Sequence, residues 1–295
     1  MSAEVFSSPM MRKLTAKKGA TKMKLAMTPA GVVRRMSVQL WIVLLLLSCC
    51  LLSAQNNSTQ HQIRNIVLVH GAWVDGSGWK GVYEILVRDG YHVSLVQEPL
   101  TAFADDVAAT KRVLAEQKGP CILVAHSYGG SLITEAGNEP QVVGLVYVAA
   151  HMPDAGESEA QEGKLFPSAV STANVITKTS DGFTFLEPSE FPRYFAADLS
   201  REQALFEADS QIQTAATVFA GVITIPAWKS KPSWMVIPSQ DMIISPKLER
   251  FYAERAHSHI TELAGASHSV YESRAKEVAA VIEASAKHAQ NDSSK

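Results

Sequence analysis

Ser127 stands in Cys-Ile-Leu-Val-Ala-His-Ser-Tyr-Gly-Gly, residues 121–130, where a short apolar run breaks into two glycines. Cys121 to Val124 suit a fully buried strand. Gly119-Pro120 and Gly129-Gly130 bound it, and Leu132, Ile133 and Ala136 beyond fall at helical spacing. A serine in a small-x-Ser-x-small turn between strand and helix is a nucleophile elbow. Ala125 and Gly129 let the two backbones pass closely, and the hydroxyl is left at the tip of a sheet, at a helix N-terminus that favours negative charge. The bland alternative is a Gly-rich turn whose serine caps the helix.

A serine hydroxyl needs a base, because it is a poor nucleophile at neutral pH. Among nine histidines, His268 is best placed, in the small-residue loop Gly265-Ala266-Ser267-His268 after the last strand-like run. Asp241, in Ser239-Gln240-Asp241 after the run Ser233–Pro238, is the carboxylate to orient it. In triad logic His268 takes the Ser127 proton and returns it to the leaving group, while Asp241 holds the tautomer and stabilises the imidazolium. The oxyanion needs two backbone donors. Tyr128, directly after the nucleophile, offers one N–H, and Ala72 in His70-Gly71-Ala72-Trp73 offers the other. Trp73, Tyr128 and His151 are expected to line the substrate pocket.

Other residues compete for these roles. Asp154 also follows a strand and is an alternative acid. His126 points away from the nucleophile and reads as packing or a hydrogen bond; His70 reads as locking its loop. His257 and His259 have the spacing of a metal pair, but no third ligand is evident and a solvated pair is the simpler reading. Asp105 and Asp106 read as a charged helix face.

The elements that must position these residues alternate. Strand-like runs fall at Ile66–Val69, His92–Gln97, Cys121–Ala125, Val142–Val148, Ser233–Pro238 and His259–Leu263. Amphipathic helical patterns lie between them, at Trp79–Leu86, Phe103–Gln117, Ser131–Ala136 and Pro246–Ala256, and a last one at Ala275–Ile282. Ser77 is a plausible cap before the first. Continuous apolar strands alternating with helices predict an α/β fold, a mostly parallel sheet covered on both faces, with ligands at the carboxyl ends of its strands. Between 152 and 231 the alternation breaks into a polar segment too long for a plain loop. A helical lid insertion is expected there, with helical patterns at Ser200–Ala208 and Ile212–Phe219.

The 295 residues are 46% hydrophobic and 19% charged, with a formal charge of −2. Residues 1–54 hold eight Lys/Arg and one acid, Glu4. The remainder is therefore acidic, which argues against a nucleic-acid partner. The basic region runs into the apolar Leu40–Leu52 and then Leu52-Ser53-Ala54, the anatomy of a signal peptide cleaved after Ala54. That predicts an exported protein, periplasmic or secreted, with no stable membrane partner after cleavage; a membrane anchor is the alternative, although the apolar segment is short for a spanning helix. Arg34-Arg35 leaves a twin-arginine route open, Ser48-Cys49 is a weak lipoprotein site, and Met36 is a more ordinary start. Residues 55–62 read as a linker, 63–287 as the folded domain and 288–295 as a polar tail. Of three cysteines, Cys121 alone lies beyond the signal, as inert packing in a strand.

From Asn65 to Ala286 the chain resembles the α/β-hydrolase superfamily, whose order of nucleophile, acid and base is that of Ser127, Asp241 and His268. His70-Gly71-Ala72-Trp73 together with Ala125–Gly130 resembles a bacterial serine-esterase branch related to plant methylesterases and hydroxynitrile lyases. The resemblance implies a hydrolase of small to medium carboxylic esters, free of cofactor and metal, with a helical cap. Ala125 departs from the commoner glycine. Dehalogenases and epoxide hydrolases of this superfamily carry an aspartate where this chain has Ser127. Rival readings are lyase or cofactor-free oxygen chemistry on the same three residues, and a non-catalytic ligand-binding protein of the same fold. A lyase would want a lysine near the site, and none after Asp241 is nearer than Lys247.

Overall fold

The computed structural model describes residues 62–292. The signal, its cleavage site and nearly all of the linker lie outside them. In chain order the elements are β1 (Asn65–Val69), α1 (Lys80–Arg88), β2 (His92–Leu95), α2 (Phe103–Ala115), β3 (Cys121–Ser127), α3 (Gly129–Ala136) and β4 (Val142–Ala150). The insertion holds α4 (Glu159–Leu165), α5 (Ala169–Ala173), β5 (Ile176–Lys178), β6 (Phe183–Leu186), α6 (Phe191–Tyr194), α7 (Arg201–Asp209) and β7 (Thr214–Ala215). Then come β8 (Ser233–Pro238), α8 (Pro246–Arg255), β9 (His259–Leu263), α9 (Val270–Ser273) and α10 (Ala275–Asp292).

The main sheet has six parallel strands in the order β2-β1-β3-β4-β8-β9. Every residue of β3 and β8 is buried, whereas the edge strands β2 and β9 are partly exposed. Successive side chains in a strand point to opposite faces, and the core divides accordingly. Val67, Val69, Leu123 and Ala125 pack with Leu114, Leu132, Ile133 and Tyr252 on one face. Ile66, Leu68, Ile122 and Val124 pack with Trp79, Leu86, Val278 and Ile282 on the other. Because both faces need apolar residues, the strands read as unbroken hydrophobic runs. Cys121 is free and fully buried in this core, and burial pushes its thiol up to about 12, so it stays protonated and inert.

Order within the sheet reverses between β1 and β3, which opens a crevice at the carboxyl ends of those strands. Three close approaches shape it. A methyl at position 129 would overlap the His70 carbonyl oxygen, and one at 130 the His151 carbonyl oxygen. One at position 71 would sit 2.7 Å from the Ser127 Cβ. Glycine is thus demanded by the loops after β1 and β4 crowding the start of α3, as well as by the turn itself.

Several expectations change. The insertion is not purely helical: β5, β6 and β7 form an antiparallel three-stranded sheet. Ile212–Phe219 is not a helix. Its β-branched residues favour extended backbone, Thr214–Ala215 pairs with β6, and the Ala215 N–H donates to the Leu100 carbonyl at 2.9 Å. A 3-10 turn follows at Val218–Ala220. The tail does not begin at 288, because α10 runs on to Asp292. Ala286 and Ala289 turn into the core, and His288 lies edge-on to Trp234 at 5.4 Å. Ser77 is not the cap of the first helical turn; Asp75 is, accepting from the Ser77 N–H at 2.7 Å.

Candidate active site

Ser127 ends β3 with φ 55°, a left-handed backbone unusual for a non-glycine residue. Such strain persists only where the surroundings enforce it, and here it aims the side chain out of the sheet. Ser127 Oγ lies 2.9 Å from His268 Nε2, and His268 Nδ1 lies 2.6 Å from Asp241 Oδ2. The second carboxylate oxygen of Asp241 accepts the N–H groups of Ile243 (2.7 Å) and Ile244 (2.9 Å), which fixes the acid from the loop after β8. The structure therefore brings together the serine, the base and the acid picked out in sequence, from three strand ends. Asp154 is elsewhere, paired with Lys229.

His268 is itself held on every side. The Phe195 ring from the insertion meets it edge-on at 4.7 Å, and His126 packs against it at 4.6 Å. His126 Nε2 donates to the His268 carbonyl at 3.0 Å, and burial, then His268, keeps this inner imidazole neutral. His126 thus serves packing and a hydrogen bond. His70 locks its loop: Nδ1 donates to the Gly71 carbonyl (2.8 Å), and Nε2 takes the Glu98 N–H (3.1 Å) beside the buried Glu98 carboxyl.

That loop carries Ala72, which lines a cavity of about 570 Å³ together with Ser127, Trp73 and His151. Gly71 sits against Ser127, so the loop borders the space a reacting carbonyl would occupy. Tyr128 immediately precedes α3, and N–H groups of a first helical turn have no carbonyl one turn back to accept them. Trp73 is stapled to the insertion. Its backbone N–H donates to Thr214 Oγ1 (3.0 Å), its indole to Thr184 Oγ1 (3.2 Å), and its carbonyl accepts from the Ile212 N–H (3.0 Å). The Tyr128 side chain does not line the cavity. Its ring is buried, and its hydroxyl donates to Asp106 Oδ2 at 2.8 Å. Asp106 is therefore no solvated helix acid. It is fully buried, its other oxygen takes the Leu100 N–H at 2.8 Å, and only Asp105 faces solvent.

A family model described as the alpha/beta hydrolase family matches residues 66–281. The chain belongs to the alpha/beta hydrolase family. A carbendazim hydrolyzing esterase of Nocardioides sp. (strain SG-4G) is 33% identical over 110 residues, covering 32% of this chain and 45% of that enzyme. The chain thus matches under half the length of that relative. Among solved structures it resembles polyneuridine aldehyde esterase (TM-score 0.66, 16% identity, 75% of this chain and 98% of that one). It also resembles a pyrethroid hydrolase from Sphingobium faniae JZ-2 (TM-score 0.65, 20% identity, 76% and 98%) and a methylesterase from Arabidopsis (0.64, 17%, 75% and 98%). At such identities these structures establish the shared fold.

Sequence reasoning missed two acids of this family member, one partly buried and one fully buried. Glu159 on α4 lines the cavity and lies 3.3 Å from His151 Nε2. Glu249 on α8 is wholly buried with neither carboxyl oxygen hydrogen-bonded. Both stand near a helix start, where an acid ordinarily reads as a solvated dipole partner. Burial, then the neighbouring Asp241, hold the Glu249 acid well above the usual carboxylate range. Its folded pKa exceeds its unfolded one, so the native state is penalised as pH rises above the unfolded value of about 4.5. Glu249→Gln should therefore raise the melting temperature at pH 8 and leave it nearly unchanged at pH 4. Equal melting curves for both proteins at pH 8 would show that this carboxyl ionises without cost.

Among the described residues no group of His, Cys, Asp and Glu is arranged to hold a metal ion, and no helix is long and apolar enough to cross a membrane. His259 stacks on the Trp234 indole at 5.1 Å, while His257 is exposed at the end of α8.

Proposed function

We propose that this protein is a serine hydrolase of small to medium carboxylic esters, acting through an acyl-enzyme on Ser127. The observation that carries the reading is the hydrogen-bonded series Asp241–His268–Ser127, at 2.6 and 2.9 Å, opening onto a mostly apolar cavity. Ser127 Oγ attacks the ester carbonyl as His268 Nε2 takes its proton. The Ala72 and Tyr128 N–H groups receive the oxyanion, in an environment where each such donor contributes about 3 kcal/mol. The alcohol leaves with the proton from His268. Water, deprotonated by the same imidazole, then attacks the acyl carbonyl and frees Ser127. Asp241 stabilises the imidazolium in both halves.

Trp73, Phe166, Val170 and Leu248 in the cavity wall favour an apolar acyl or alcohol group. The partial likeness to an esterase named for carbendazim makes a carbamate ester a reasonable further substrate. Lys247 is exposed on α8, and the lysine that lines the cavity is Lys164 from α4; the hydrogen-bonded Ser127–His268–Asp241 series favours the hydrolase over the lyase alternative. Export of the mature chain is part of the same proposal and rests on the basic and apolar character of residues 1–54.

A fluorophosphonate probe tests the mechanism directly. It should label Ser127 stoichiometrically, as located by peptide mass spectrometry, and labelling at another residue or none would overturn the assignment. Asp241→Asn should retain the geometry but favour the wrong imidazole tautomer. Its kcat should fall roughly 10³- to 10⁴-fold with little change in KM. A fall below tenfold would remove Asp241 from the mechanism.

A further inference from the structure

The cavity beside Ser127 is mostly apolar, and besides Lys164 and several Ser and Thr residues its lining includes one pair of titratable side chains, His151 and Glu159. His151 directly follows β4, and its backbone N–H donates to the Ser127 carbonyl at 3.2 Å, so its imidazole is anchored next to the nucleophile. Glu159 reaches it from α4 in the insertion, Oε1 to Nε2 at 3.3 Å. The remaining contacts of the two side chains are equally long. Ser131 Oγ lies 3.5 Å from Glu159 Oε2, and the Tyr252 hydroxyl lies 3.4 Å from His151 Nδ1. Both side chains are largely withdrawn from solvent, 9% and 14% exposed, yet both line the cavity.

Each polar atom of the pair thus has one partner, at the long and therefore weak end of the hydrogen-bond range, in a place where weak pairing is costly and a better-placed group from a ligand would be favoured. Charge does not strengthen the pairing. Burial drives His151 down to about 3 and Glu159 up to about 8, so near pH 7 the pair is an uncharged acid beside an uncharged imidazole. Such a pair offers both a donor and an acceptor without the desolvation cost of burying an ion.

We propose that Glu159 and His151 form a polar recognition subsite for an uncharged O–H or N–H group carried on the ester substrate, away from the scissile bond. This rests on the reading of Ser127 as the nucleophile of an ester hydrolase. A site built to hydrogen-bond such a group rejects an isostere lacking it, because its own buried polar atoms are then left unpaired, whereas an apolar pocket barely distinguishes the two.

The test compares methyl 3-hydroxyphenylacetate with methyl 3-methylphenylacetate, which differ by hydroxyl against methyl. Wild type should show a kcat/KM ratio of roughly 10 to 100 in favour of the hydroxyl ester. Glu159→Leu should bring that ratio close to one, and Glu159→Gln, which keeps the hydrogen-bonding capacity and the shape, should retain most of it. A purely structural role for Glu159 would lower both rates together and leave the ratio unchanged. A wild-type ratio near one, or a ratio that survives Glu159→Leu, overturns the subsite. Calorimetric binding of the same two esters to Ser127→Ala separates the two claims. Preferential binding of the hydroxyl ester with no turnover by wild type would sink the hydrolase and keep the subsite, whereas turnover without preference would do the reverse.

Discussion

Replacing Ser127 by alanine should lower the hydrolysis of p-nitrophenyl butyrate by a factor on the order of 10⁶, while the melting temperature stays within a few degrees of wild type. Removing the serine of a working triad costs about that much, because base and acid have nothing to activate once the attacking oxygen is gone. What remains is the background from the oxyanion donors and binding. The fold should survive because Ser127 Oγ makes its hydrogen bond to His268 alone, 2.9 Å away, and contributes no packing a methyl group cannot replace. The left-handed backbone at Ser127 is enforced by its surroundings, so alanine inherits the same strain without adding to it. Full activity in this variant would place the nucleophile elsewhere; a collapsed melting temperature would show that the serine is structural.

Gly130→Ala should destabilise the protein by more than about 4 kcal/mol, in the range that marks a steric or buried-polar defect. Position 130 lies in the first turn of α3, where the added carbon would overlap the His151 carbonyl oxygen and approach the Ala150 Cβ at 3.0 Å. Neither neighbour can yield cheaply. Ala150 is the buried last residue of β4, His151 directly after it is also buried, and the His151 N–H is hydrogen-bonded to the Ser127 carbonyl. The helix would have to withdraw from the sheet, uncovering Leu132 and Ile133, both fully buried. For a chain of this size the loss corresponds to a melting point lower by roughly 10 °C or more, or to no soluble protein. Gly163 is the control. It lies inside α4 with nothing within 4 Å of an added Cβ, so Gly163→Ala should stabilise by about 0.5–1 kcal/mol through helix propensity. Equal stability of the two variants in thermal unfolding would disprove the argument from crowding.

Those two glycines mark the line between what residues reveal alone and what packing reveals. The strands of the central sheet were legible because a parallel sheet buried on both faces needs unbroken apolar runs, and β1, β3, β4 and β8 are such runs. The elbow was legible because a strand-to-helix turn imposes small residues at fixed offsets. Ser127 was legible as the end of a strand, and Asp241 and His268 as residues of the loops that follow two others. Short-range physics suffices for all of these.

The insertion was least legible, for a definite reason. Its strands are two to four residues long, too short to show a period, and they exist only because partners distant in sequence supply their hydrogen bonds. Ile212 and Ala215 pair with Trp73 and Leu100, from loops after the first two strands of the central sheet. A Tyr128 ring aimed at the cavity and a solvated Asp106 were equally reasonable from spacing. The chain decides otherwise because those residues meet each other across the gap between α2 and α3. The sequence by itself determined the sheet, the turn at Ser127 and the order in which Asp241 and His268 come behind it. Only the tertiary structure decided which polar side chains face the cavity. That choice depends on which buried donor finds which acceptor, a property of pairs that no single stretch of sequence contains.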